Sequence, residues 1–134
     1  MGKKIVITGG LGYIGTELCK IYSGVSWNNE ILVIDNRFIS ERINQLRNWD
    51  IDFAHGDILD KIFVNKHCKD ADVIHHLAGI TDVPRVKSES NDDKDAKIKL
   101  VAEQGTQNII DAISDKCKII FPSTHVVYEG IEKV

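Results

Sequence analysis

Three glycines at intervals of three, Gly9, Gly12 and Gly15, follow directly on the run Ile5-Val6-Ile7-Thr8. Few patterns restrict a chain more. A glycine just after a buried strand lets the backbone turn sharply, and Gly9 takes that place. Gly12 has no Cβ, so an outside group can approach the backbone N–H donors around it. Gly15 lets the helix that begins near Tyr13 lie close against the strands. The segment Thr8-Gly9-Gly10-Leu11-Gly12-Tyr13-Ile14-Gly15 therefore reads as a strand end, a tight turn and a helix N-terminus open to an anion.

The rest of the chain keeps this rhythm, with apolar runs alternating with helical patterns. Residues 3–8 predict a first strand, and 13–22 a helix with Ile14, Leu18 and Ile21 on one face. Residues 30–35 predict a second strand around Ile31-Leu32-Val33-Ile34, and 39–49 a helix that turns Ile43, Leu46 and Trp49 inward. A short third strand falls at 51–54, and a brief helix at 60–67 is capped by Asp57 or Asp60. Residues 72–77 give a fourth strand, 91–115 one long helix carrying Ile98, Val101, Ile109, Ile110 and Ile113, and 118–121 a fifth strand. The expected fold is α/β: a Rossmann-type, doubly wound parallel sheet of five strands in the order 3-2-1-4-5, over residues 1–134, with no second domain.

An acid about 20 residues past the glycine loop, at the carboxyl end of the second strand, completes a dinucleotide-binding fingerprint. That acid is Asp35. A carboxylate there accepts hydrogen bonds from both adenosine ribose hydroxyls and repels a 2′-phosphate, which favours NAD over NADP. Arg37, two residues on, argues the other way, because a guanidinium can pair with a phosphate.

Composition removes other classes. A net charge of −3 leaves no basic footprint for nucleic acid. No apolar run approaches the roughly 18 residues of a membrane span. Ile5-Val6-Ile7 is too short for the apolar core of a signal peptide, and Val6 stands where a myristoylation motif needs Ser or Thr. Cys19, Cys68 and Cys117 are scattered without a CxxC pair, which predicts reduced thiols and a cytoplasmic setting. His55, His67 and His125 lack ligand spacing, so no metal site is expected. His75 and His76 adjoin in a strand and must face opposite sides: one packs, the other lies near the cofactor. Asp92, Asp93 and Asp95 read as a charged helix start.

With these motifs in place the chain resembles the extended short-chain dehydrogenase/reductases, the NAD-dependent nucleotide-sugar epimerases and dehydratases. The GxxGxxG spacing is that family's form, and the resemblance implies cofactor contacts at Gly9, Gly12, Tyr13, Ile14 and Gly15. Ile34-Asp35-Asn36 resembles the ribose-binding strand end, implying roles for Asp35 and Asn36. Gly56-Asp57-Ile58 resembles the adenine-binding motif, in which the Asp57 carboxylate meets the amino group and the Ile58 backbone the ring. Ile74-His75-His76-Leu77-Ala78-Gly79 resembles the fourth strand, whose end supports the nicotinamide ribose, implying contacts at Leu77, Ala78, Gly79 and Thr81. Gly105-Thr106-Gln107-Asn108 is similar to the family's GTxN. Phe121-Pro122-Ser123-Thr124-His125-Val126-Val127-Tyr128 resembles the fifth strand end, which implies Thr124 as the catalytic hydroxyl and Ser123 beside the cofactor.

The chain also departs from that pattern. Val101, Ala102 and Glu103 stand where the family has an Asn before GT, and Pro122 replaces a small hydroxyl residue. No Tyr-x-x-x-Lys occurs: Lys133 lies five residues after Tyr128, and Tyr128 better matches a tyrosine that is not the catalytic one. Two expectations follow. In one, the chain is the cofactor half of a nucleotide-sugar epimerase or dehydratase, truncated before a sixth strand and lacking the substrate domain. In the other, it is a self-contained, non-catalytic NAD-binding module. The apolar strand Ile119-Ile120-Phe121 would be an exposed edge, which favours the first and also predicts a covering partner, a second copy in a homodimer among them.

Overall fold

The computed structural model describes residues 2–25, 28–79 and 92–122. Five parallel strands form one sheet in the order β3-β2-β1-β4-β5. They are β1 (Lys4–Thr8), β2 (Glu30–Asp35), β3 (Asp52–His55), β4 (Val73–His76) and β5 (Lys118–Ile120). Between them run α1 (Tyr13–Val25), α2 (Ser40–Asn48) and α3 (Lys61–Cys68). A long helix follows β4: α4 (Asp92–Leu100), a π-helical turn (Val101–Gly105) and α5 (Thr106–Ala112). The single helix expected over 91–115 is thus widened in its middle by that turn and stops at Ala112, because Ile113 is already extended.

Alternation along β1 divides the core. Ile5 and Ile7 join Ile31, Val33, Cys19, Ile43 and Leu46 on the face covered by α1 and α2. Val6 joins Leu32, Ile34, Ile74, Val64 and Ile109 on the face covered by α3 and α5. A strand buried on both faces is continuous in apolar residues, which is why Ile5-Val6-Ile7 shows no alternation of its own. The order in which strands are added reverses at β1: β2 and β3 lie to one side, β4 and β5 to the other. The carboxyl ends of β1 and β4 meet at this switch point, the place where open α/β sheets take ligands.

Helix α1 corrects the expected face. Ile14 and Ile21 are 68% and 61% exposed, while Gly15 and Cys19 are buried and Leu18 and Tyr22 pack on the core. The glycine sets the phase. A Cβ on Gly15 would lie 2.5 Å from the Cα of Gly10, so this side of the helix must sit on the loop. Residues one step away then turn outward. The third strand begins one residue later than expected because Ile51 still belongs to the end of α2. Its N–H donates to the Leu46 carbonyl (2.9 Å), with Asp50 left-handed at φ 59°. Asp60, not Asp57, caps α3, accepting from the N–H groups of Ile62 and Phe63. In the long helix Ile109 is buried while Ile110 faces solvent. At the sheet edge Ile119 is half-buried, and Ile120 and Phe121 are exposed.

Cys19 and Cys68 are free and buried, and burial pushes their thiols up to about 12 and about 11. They serve as small apolar core residues. Among the described residues no helix is long and apolar enough to cross a membrane.

Candidate functional site

The glycine loop is fastened to the strand ends on both sides. Gly9 N–H donates to the Ile34 carbonyl (2.7 Å), and its φ of 69° is a left-handed turn that suits glycine. A Cβ there would also lie 2.8 Å from the Ala78 N at the end of β4. Gly12 N–H donates to the Gly9 carbonyl (3.1 Å), and the Gly12 carbonyl accepts the first bond of α1 from Thr16 N–H (2.9 Å). Gly15 faces Gly10, so its part is to seat the helix on the loop. Tyr13 and Ile14 hold their side chains in solvent, and the Arg42 guanidinium lies 5.2 Å from the Tyr13 ring centroid while donating to the Leu11 carbonyl.

Asp35 closes β2 beside this loop and is buried. Its Oδ2 accepts from Leu11 N–H (3.1 Å) and from Arg37 Nη2 (3.1 Å). Its Oδ1 accepts from Arg37 N–H (3.0 Å) and Arg37 Nε (3.1 Å). The carboxylate raises the guanidinium pKa above its ordinary range, chiefly through the side-chain hydrogen bond. Gly56 N–H donates to the Asp35 carbonyl (3.1 Å), which brings Asp57 and Ile58 next to β2. Asn36 is exposed, its carbonyl accepting from His55 Nε2–H (2.9 Å). Asp57 is exposed with Oδ1 accepting from Leu59 N–H (2.9 Å). The Ile58 side chain is buried, and its carbonyl accepts from Asn108 Nδ2 (2.9 Å), whose amide oxygen accepts in turn from Gln104 Nε2 (2.8 Å).

At β4 the structure adds a polar chain that the sequence reading left unassigned. Thr8 Oγ1 accepts from the N–H groups of Leu77 and Ala78 (3.1 Å each), which fills its two lone pairs. Its own proton must go to His76 Nδ1 (2.7 Å), so His76 carries its proton on Nε2 and donates to Thr106 Oγ1 (3.0 Å). Burial lowers the His76 pKa and keeps the ring neutral, as this tautomer requires. His75 faces the other way and lies 2.6 Å from the Tyr22 hydroxyl; burial lowers its pKa also. The GTxN threonine was the available signal, since its helix crosses above β4.

The expected positions Gly9, Gly12, Asp35, Asn36, Asp57, Leu77, Ala78 and Gly79 thus share one edge of the sheet. Thr81, Ser123, Thr124 and Tyr128 lie outside the described residues.

The sequence pattern of the 3-beta hydroxysteroid dehydrogenase/isomerase family matches residues 6–133. The chain belongs to this family. That places it among the extended short-chain dehydrogenases/reductases. It is 30% identical over 141 residues to the CDP-paratose 2-epimerase of Salmonella typhi, covering 97% of this chain and 39% of that protein. The structure of the UDP-Glc/GlcNAc 4-epimerase of Campylobacter jejuni superposes with a TM-score of 0.79 at 26% identity, over 98% of this chain and 40% of that one. The UDP-glucose 4-epimerase of Bifidobacterium longum, solved in complex with NAD+ and UDP, shares the fold at a TM-score of 0.76 and 20% identity, over 98% of this chain and 40% of that one. The chain therefore spans about two-fifths of the length of the relatives it matches.

Proposed function

We propose that this chain is the NAD-binding part of an NAD-dependent nucleotide-sugar epimerase or dehydratase. One observation carries the reading: the buried carboxylate of Asp35 is hydrogen-bonded to Leu11 N–H inside the glycine loop, so an acid suited to ribose and a loop suited to a diphosphate form a single unit. The bare Cα of Gly12 at the start of α1 fits a phosphate approaching the helix N-terminus.

On this reading the backbone around Gly9 and Gly12 holds the diphosphate, with Tyr13 and Ile14 at its margin and Gly15 seating the helix. Asp35 and Asn36 hold the adenosine ribose, Asp57 and the Ile58 backbone the adenine, and Leu77, Ala78, Gly79, Thr81 and Ser123 the nicotinamide side. NAD bound there supplies a reversible hydride acceptor. Thr124 hydrogen-bonds the reacting sugar oxygen, and the proton is taken by a tyrosine paired with a lysine one helical turn on, which the 134 residues do not contain. The working protein is cytoplasmic and dimeric, with the exposed Leu100 and Ile110 of the long helix as apolar contacts.

Calorimetric titration tests the cofactor. NAD should bind more tightly than NADP, and Asp35→Ala should narrow the gap by about tenfold, the worth of a charge-assisted hydrogen-bond pair. Equal or tighter NADP binding by the unmodified protein would reverse the preference.

A further inference from the structure

An ionised carboxylate has about four acceptor positions, two on each oxygen. In Asp35 all four are taken: Leu11 N–H and Arg37 Nη2 on Oδ2, Arg37 N–H and Arg37 Nε on Oδ1. A ribose that needs two acceptors must therefore displace two donors. Leu11 N–H and Arg37 N–H are backbone groups fixed by the loop and the strand end. The guanidinium is the part that can leave, because the Arg37 side chain is 51% exposed while that of Asp35 is 3% exposed. It also covers the second place a dinucleotide needs. A Cβ on Gly12 would lie 3.6 Å from Arg37 Nη2, so the same group stands over the bare glycine.

Building on the dinucleotide reading above, we propose that the Arg37 guanidinium is a built-in occupant of the ribose site, displaced by NAD and recruited by a 2′-phosphate, and so the residue that sets the 2′ selectivity of this protein. For NAD, the two guanidinium bonds to Asp35 oppose binding. For NADP, the same guanidinium offsets the charge of Asp35 and offers a planar fork to the phosphate. One side chain thus acts with opposite sign on the two cofactors.

Titrating the purified protein with NAD and with NADP, before and after substitution of Arg37, tests this. Arg37→Ala should tighten NAD by about twofold to fivefold, the range of a half-exposed ion pair, and weaken NADP by about tenfold. Arg37→Lys keeps the charge but loses the two-pronged grip, so it should tighten NAD while leaving NADP within about threefold. Should Arg37→Ala fail to fold, the lysine variant decides alone, by whether NAD tightens relative to NADP; for the alanine variant the two shifts must be opposite in sign. Affinities that both move the same way, or do not move, overturn the inference and leave the dinucleotide reading standing. Binding of neither cofactor by the unmodified protein or by Arg37→Ala overturns that reading, and the inference with it.

Discussion

Two polar clusters sit on the same edge of the sheet, and they are built in opposite ways. At the end of β2, Asp35 is closed off by a guanidinium that stands half in solvent. At the end of β4, Thr8 and His76 are sealed from water and joined to Thr106, with Phe121 against the histidine ring at 5.7 Å. Gly9 lies between them, bonded to Ile34 on one side and pressed on Ala78 on the other. The first cluster can trade its partner for a ligand at small loss, because water is at hand to take up the guanidinium. In the second, losing the bond between Thr8 and His76 leaves a buried group without relief. The edge thus has an exchangeable half and a fixed half, and the fixed half holds the backbone of Leu77 and Ala78 in place.

The sharpest way to break this contrast is Thr8→Val. It keeps the shape, removes the acceptor for Ala78 N–H and strips His76 Nδ1 of its donor. A buried imidazole nitrogen and a half-buried N–H without partners should lower stability by about 2–4 kcal/mol, read as a shift in the urea midpoint. A loss below about 0.5 kcal/mol would mean that water reaches the cluster and that the two halves are alike.

Much of the frame was legible because it rests on residues with few alternative uses. Gly9, Gly12 and Gly15 announce a turn, a bare backbone face and a close helix seat, and Asp35 ends a run of four apolar residues. The strand order followed from that pattern and is the order observed. The phase of α1 was misread for a physical reason: counting apolar residues gives weight to Ile14 and Ile21 and none to Gly15, yet the smallest residue makes the closest approach. Of the Thr8–His76–Thr106 chain only Thr106 was marked, by its place in GTxN; the links span 68 and 30 positions, and hydroxyls give no periodic signal. Arg37 was visible, but it was read as a partner for phosphate. Its pairing with Asp35, only two residues away, depends on the turn of the backbone after β2, which the sequence does not display.

Acid should separate the halves next. His75 and His76 are held neutral by burial, with pKa values lowered from the ordinary 6.5, so the unfolded chain binds more protons than the folded one below that pH. Their contribution is present above about pH 6.5 and is lost progressively as pH falls below it through the lowered folded-state values. For His76 alone the loss is at most about 1.4 kcal/mol per pH unit. Chemical unfolding at pH 7.5 and 5.5 should show the drop, and His76→Gln should reduce it, leaving the share of His75. The guanidinium at Asp35 stays charged throughout and adds nothing of its own to the drop. A slope that persists in full after His76→Gln would assign it to other histidines, His67 included, whose pKa is also lowered.

The smallest effect is the most telling about the exchangeable half. Arg37→Ala removes an ion pair and two hydrogen bonds from a buried carboxylate, a change that would be severe if Asp35 were sealed as His76 is. Asp35 keeps the two backbone donors of Leu11 and Arg37, however, and the guanidinium side of the pair already faces solvent, so water can fill the vacated positions. The loss of stability should therefore stay within about 1 kcal/mol, several-fold less than for Thr8→Val. Urea unfolding of the two variants side by side makes the comparison. If Arg37→Ala proved as damaging as Thr8→Val, the guanidinium would be a structural strut, and a ligand could not displace it without unsettling the loop.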